Sequence, residues 1–152
     1  GITPQVASLL KYSKFPGMRV FQFAFLGDRE SGHLPHNYVK NCIAYTGTHD
    51  NATLLSYTWE VTPEERRAIF SYCGYDGEDK ALGCQAIMRT MLASPADTVI
   101  FPIQDILVYG SDTRMNTPGV AEGNWQYRLT KDQLDSISRD KFRTWNEDCF
   151  RI

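Results

Sequence analysis

No stretch of the chain approaches the roughly 20 consecutive apolar residues that a membrane-spanning helix needs. Neither charge dominates: 16 Lys and Arg stand against 18 Asp and Glu. The one adjacent basic pair, Arg66-Arg67, follows Glu64-Glu65 and reads as a solvated helix face. That balance excludes the electrostatic footprint of a nucleic-acid binder. The opening Gly1-Ile2-Thr3-Pro4 has no Met and no basic stretch leading into an apolar one, so no signal peptide is read there. Gly1 is expected to be a cut point within a longer chain. The four cysteines, Cys42, Cys73, Cys84 and Cys149, contain no Cys-x-x-Cys pair and no metal-type spacing. They are expected to be reduced thiols of a cytoplasmic protein, with Cys42 and Cys84 acting as small buried hydrophobes. There is no internal repeat and no low-complexity linker.

What is present is an ordinary globular composition, 42% hydrophobic and 22% charged, over 152 residues. That is enough for one domain with a real core, taken as residues 1–152. Thr3-Pro4 signals a helix over about 4–12, broken by Phe15-Pro16-Gly17. Residues 19–25, aromatic and β-branched, predict a strand. A polar loop over 27–41 precedes a second strand over 42–46. Thr62-Pro63-Glu64-Glu65 is a capping box that opens a helix ending near Gly74. A longer helix spans about 78–93, with Cys84, Ile87, Met88, Met91 and Leu92 on one stripe. Residues 98–103 predict a third strand, weakened by Pro102. A Gly-, Asn- and Pro-containing loop covers 110–125. Thr130 and Gln133 form another capping box, opening a last helix through about Trp145. Strands alternating with helices predict an α/β chain with a parallel sheet.

The most informative run is Tyr45-Thr46-Gly47-Thr48-His49-Asp50-Asn51. An apolar strand enters a Gly-containing turn that presents a histidine, a carboxylate and an amide in a row. Loops at strand ends are where scaffolds place chemistry, and directed hydrogen-bonding groups suit a ligand crowded with hydroxyls, such as a sugar. Read alone, the run also fits a surface turn whose Asp50 or Asn51 bonds its own backbone. Asn51-Ala52-Thr53 fits the glycosylation acceptor pattern, which has meaning only in a secreted protein.

Further blocks accompany that run in order: Phe15-Pro16-Gly17-Met18-Arg19-Val20-Phe21-Gln22-Phe23-Ala24-Phe25, Leu34-Pro35-His36-Asn37-Tyr38, Pro102-Ile103-Gln104-Asp105, Ser111-Asp112-Thr113-Arg114-Met115-Asn116-Thr117-Pro118-Gly119 and Gly123-Asn124-Trp125. Together, from about Ile2 to Leu129, the chain resembles the 4-α-glucanotransferases, also called amylomaltases or disproportionating enzymes. The resemblance implies the C-terminal portion, strands six to eight, of a (β/α)8 TIM barrel. It also implies a retaining enzyme that moves α-1,4-glucan segments between maltodextrins through a covalent glycosyl intermediate. The family's nucleophile and its Glu acid/base would both lie upstream of Ile2-Thr3-Pro4, so this chain alone is expected to be inactive.

By the same resemblance, Asp50 is the transition-state stabiliser and His49 is the donor beside it. Phe23 walls the subsite, and Asn51, Asn116 and Trp125 bind substrate, with Tyr127 a further ring that could face a pyranose. Ala52 stands where the family often has an acid, which puts any supporting role of that acid in doubt. No cofactor and no metal are expected. The expected partners are a maltooligosaccharide or glucan and the rest of the barrel, or a second copy covering the strand edges. Two other readings follow from the same residues: a non-catalytic glucan-binding module, and a zinc site from His33, His36, His49 and Asp50. The second is disfavoured because its histidines sit on different loops without i, i+4 spacing.

Overall fold

A computed structural model describes residues 2–152. The chain is α/β. Three short parallel strands, β1 (Gly17–Val20), β2 (Cys42–Tyr45) and β3 (Thr98–Ile100), form one sheet in the order β1-β2-β3. Gly17 pairs with Cys42 and Val20 with Tyr45, and Tyr45 pairs with Ile100. All three strands run the same way, so their C-terminal ends open on one side of the sheet.

Helix α1 (Pro4–Ser13) starts where Thr3 accepts from the Val6 amide, with Pro4 in the first turn, and stops at Lys14 in the left-handed region. None of its residues is buried. Strand β1 ends sooner than the aromatic run 19–25 predicts. Residues Phe21–Phe23 turn into a 3-10 helix, which sends the Phe21 ring into the core and ties the Gln22 backbone N–H to the Thr46 carbonyl at 3.3 Å. Packing at the sheet end overrides β-propensity there. Between β2 and β3 run α2 (Leu54–Glu60), α3 (Pro63–Tyr72) and α4 (Lys80–Leu92). The reciprocal Thr62–Glu65 capping box opens α3 as the sequence implies. The stripe of α4 is buried as read: Cys84, Ile87, Met88, Met91 and Leu92. Helix α2 has no counterpart in the sequence reading.

Strand β3 stops at Ile100, three residues short of the predicted end. Pro102, with no N–H for the ladder, becomes the residue before a short helix, α5 (Ile103–Ile106). The single last helix resolves into α6 (Lys131–Asp135) and α7 (Arg139–Asp148), with Ser136 ending one and Ser138 capping the next. The core lies between the sheet and α2–α4, built on Phe21, Ala44, Leu54, Ile69, Phe70, Ile87, Met88 and Met91. Gly83 is part of it: a Cβ there would sit 2.1 Å from the Phe70 ring, so only glycine lets α3 and α4 approach this closely. Away from this core, Leu9, Tyr12, Phe15 and Met18 are exposed, Tyr12 to 86% and Phe15 to 72%.

Candidate active site

The turn after β2 is built before it is functional. Thr46 is fully buried. The side-chain oxygen of Asn51 accepts from both the backbone N–H and the hydroxyl of Thr48, each at 2.8 Å, closing a tight local ring of the kind Asn favours. Gly47 is required by proximity. A Cβ there would lie 2.6 Å from Gln22 Nε2 and 3.2 Å from Asn51 Cβ, while that Gln22 amide donates to the Ala52 carbonyl at 2.9 Å. The outcome is a turn folded inward at both ends that presents His49 and Asp50 outward, each about half exposed.

The loop after β3 meets it. Asn116 Nδ2 donates to Asp50 Oδ1 at 2.6 Å, and Arg114 Nη2 donates to the Asp50 backbone carbonyl at 2.6 Å. Arg114 Nε also bonds the Asn116 carbonyl, so one guanidinium fixes both sides of the carboxylate–amide pair. His49 Nε2 lies 3.2 Å from the same Asp50 Oδ1. Asp50 Oδ2 has no hydrogen-bond partner among the described residues, so one oxygen is held and the other remains an open acceptor. The Trp125 ring leans on His49, with centroids 4.9 Å apart and planes at 44°.

Trp125 itself adopts φ 61, a left-handed conformation that is an outlier for a bulky side chain and costs roughly 1–3 kcal/mol. Its N–H bonds the Met115 carbonyl at 2.7 Å, and Asn124 clamps both Thr117 and Val120, which holds it there. His49, Trp125, Arg114 and Met115 form the walls of a cleft of about 210 Å³ with Gly47, Pro102, Gln104 and Asp105 behind them. Asp50 and Asn116 flank this cleft rather than line it.

Beneath the turn lies a buried carboxylate. Asp105 is 2% exposed. Its Oδ2 accepts from the Thr46 hydroxyl at 2.5 Å and its Oδ1 from the Leu54 backbone N–H at 2.7 Å, at the start of α2. Burial pushes its carboxyl above the ordinary Asp range, against the lowering effect of those two hydrogen bonds.

The structure thus brings His49, Asp50, Asn116 and Trp125 into one constellation. Asn51 adjoins it, with its carbonyl oxygen committed to the turn. Phe23 stands at the same end of the sheet, 37% exposed and edge-on to His33 at 5.6 Å, outside the cleft walls. The Tyr127 hydroxyl is enclosed without a partner among the described residues. The three histidines go separate ways. His33 Nδ1 accepts from the Val20 N–H at 3.0 Å, and burial with nearby Arg19 lowers its pKa. His36 pairs with the Tyr72 hydroxyl at 2.9 Å. Among the described residues no three His, Cys, Asp or Glu side chains converge as metal ligands do. Sequence reasoning assigned no role to Arg114, Gln104, Asp105 or Gln22. An acid just beyond an apolar strand, in Pro-x-Gln-Asp, was the signal for Asp105.

The sequence profile described as 4-alpha-glucanotransferase matches residues 1–134. A 4-alpha-glucanotransferase of Synechocystis sp. is 42% identical over 142 residues, which is 88% of this chain and 26% of that protein. The chloroplastic/amyloplastic 4-alpha-glucanotransferase of Solanum tuberosum is 39% identical, over 91% of this chain and 24% of that protein. The Thermus thermophilus 4-alpha-glucanotransferase is 36% identical, over 99% and 31%. Among solved structures, the amylomaltase from Streptococcus agalactiae in complex with acarbose superposes with a TM-score of 0.83 at 32% identity, covering 97% of this chain and 29% of that one. The chain therefore spans between about a quarter and a third of the relatives it matches.

Proposed function

The chain belongs to the 4-alpha-glucanotransferase family, and we propose that it forms strands six to eight, the C-terminal portion, of a retaining (β/α)8 glucanotransferase barrel. In this reading the whole enzyme transfers α-1,4-glucan segments between maltodextrins in the cytoplasm, and the nucleophile and acid/base stand on the remaining staves. The matches cover 24% to 31% of three full-length relatives, which supports a partial barrel. The exposed apolar side chains of α1 and β1, Leu9, Tyr12 and Met18 among them, are then the surface that the other staves, or a second copy of the chain, cover.

The observation that carries the reading is the divided carboxylate of Asp50. Asn116 and His49 approach Oδ1 while Oδ2 has no partner among the described residues. A carboxylate oxygen pair held by the Asn116 amide on one side and open on the other is a strong, fixed acceptor for a sugar hydroxyl. Fixed acceptors contribute most where they meet charge that develops only in the transition state. Asp50 therefore accepts from the hydroxyls of the glucose ring as it flattens toward an oxocarbenium ion. His49 supplies a donor from the same edge. Trp125 offers an apolar face to the pyranose, and Asn116 keeps the carboxylate in one rotamer. Asp50 cannot itself attack the anomeric carbon in place of the nucleophile or protonate the leaving oxygen.

In the full-length enzyme, Asp50→Asn is expected to lower kcat by about 10²–10³-fold, the size seen when one preorganised electrostatic partner is lost, with the melting temperature little changed. An unaltered kcat would refute the assignment. The isolated chain should show no transfer from maltotriose, and steady turnover by it would refute the partial-barrel reading. A tight calorimetric response of the isolated chain to maltoheptaose would instead identify a self-sufficient glucan-binding module.

A further inference from the structure

Gln104 and Asp105 are consecutive, nearly buried, and placed where α5 begins beside the end of the sheet. Each grips a different loop of the site. Asp105 holds the two ends of the turn that carries His49 and Asp50: the Thr46 hydroxyl on one side at 2.5 Å and the Leu54 N–H on the other at 2.7 Å. Gln104 Nε2 donates to the Thr113 carbonyl at 3.0 Å, directly before the segment Arg114–Met115–Asn116 that closes on Asp50. Thr113 is in turn locked by its own hydroxyl on the Gly110 carbonyl at 2.8 Å. These polar groups all lie in the interior: Thr46 is 0% exposed, Asp105 2%, and Gln104 and Thr113 7% each. A buried polar layer is costly unless every member is satisfied, and when satisfied it specifies one arrangement.

Neither residue belongs to the apolar core cluster, although Asp105 also satisfies the first N–H of α2. What an apolar substitute could not do is fasten two separate loops at fixed separation. The two loops meet again at Asp50, with Asn116 on its side chain and Arg114 on its carbonyl, both at 2.6 Å, and where the Trp125 ring leans on His49. The circuit runs from Asp105 through Thr46 and the turn to Asp50, across to Asn116 and Arg114, and back through Thr113 to Gln104.

We propose that Gln104 and Asp105 form a positioning bracket for glucan transfer, setting the Asp50–Asn116 geometry by anchoring both loops to one short helix. The proposal rests on the reading of Asp50 as the transition-state stabiliser. Neither bracket residue acts on the sugar directly. Each acts through backbone it holds, so its loss should appear in the transition state and not in ground-state affinity.

Thr46→Val, in the full-length enzyme, keeps the shape of residue 46 and removes the hydroxyl that Asp105 holds. The variant is expected to lose about 10-fold or more in kcat, measured well below its melting temperature, with KM changed less than 2-fold. Thr46→Ser restores the hydroxyl and should restore most of kcat. Combined with Asp50→Asn, Thr46→Val should cost little further activity, because its effect passes through the side chain already altered. Unchanged kcat for Thr46→Val in a folded enzyme overturns the bracket, as does a loss that multiplies in full on the Asp50→Asn background. A rise in KM with kcat intact also overturns it, since that signature belongs to direct substrate contact. An active Asp50→Asn enzyme would remove the underlying reading instead, and that single variant distinguishes the two failures.

Discussion

Replacing Gly47 by alanine adds one methyl group at the hinge of the candidate site, and the structure sets its consequences. Gly47 is not in the left-handed region, so the backbone itself accepts alanine, and reduced freedom of the unfolded chain would favour the variant by about 0.4–1 kcal/mol. Sterics oppose this. The new Cβ would stand 2.6 Å from Gln22 Nε2 and 3.2 Å from Asn51 Cβ. Gln22 has little room to retreat, being 6% exposed and hydrogen-bonded to the Ala52 carbonyl. Overpacking of this kind costs about 1–3 kcal/mol, and breaking the Gln22–Ala52 bond adds about 1 kcal/mol. The net is a destabilisation of about 1–3.6 kcal/mol, read as a lower urea midpoint at unchanged slope. The functional effect should be larger in proportion. On the proposed reading, in the full-length enzyme, a shift of the turn by about 1 Å would move Asp50 away from the reacting ring, a misplacement worth about 10²-fold in kcat. A double variant, Gly47→Ala with Gln22→Ala, clears the obstacle, so it should be more stable than the sum of the singles by at least about 1 kcal/mol. Simple additivity, or wild-type kcat for Gly47→Ala, would refute the claim that this close approach shapes the site.

The buried Asp105 carboxyl should leave a mark on acid stability. Because burial raises its pKa above the ordinary 3.8, the folded chain holds the proton more tightly than the unfolded one. Its contribution, relative to Asp105→Asn, is complete below the unfolded value and declines as pH climbs through the window above it. Urea midpoints for both proteins between pH 3.5 and 7 test the sign, and a contribution that grows with pH contradicts it. Thiol chemistry gives an independent test: burial pushes Cys73 up to about 11 and Cys84 up to about 12. At pH 8 only about one Cys73 in a thousand is thiolate, so Cys73 and Cys84 should react with a thiol reagent only after unfolding. Prompt modification of Cys84 in the native protein would show the α4 stripe to be open.

Much of the fold is legible in residue order because its signals are local. The Thr62–Glu65 box and the Cys84–Leu92 stripe act over one or two turns, and both stand where the pattern puts them. The failures have long-range causes. Leu54–Glu60 is rich in aromatic and β-branched residues with only two turns to show a period. Its first N–H is satisfied by Asp105, 51 positions along the chain. The strand read through Phe25 is cut at Val20 because Phe21 turns into the core and Gln22 toward partners on the next loop. At the site, His49 and Asp50 were legible as a polar cluster at a strand end. The grip of Arg114 on the Asp50 carbonyl was not, since a backbone acceptor leaves no trace in side-chain identity. Nor does composition reveal that the side-chain oxygen of Asn51 turns back on Thr48.

The neck of the loop carrying Trp125 is tied twice, by Trp125 to Met115 and by Asn124 to Thr117. Asn124 also holds the Val120 carbonyl, and beyond it Ala121 and Glu122 are exposed and line no wall of the cleft. Such a loop behaves like a drawstring bag: what hangs below the knot can lengthen without loosening it. A reporter peptide spliced between Ala121 and Glu122 would accordingly ride on the protein without disturbing the indole.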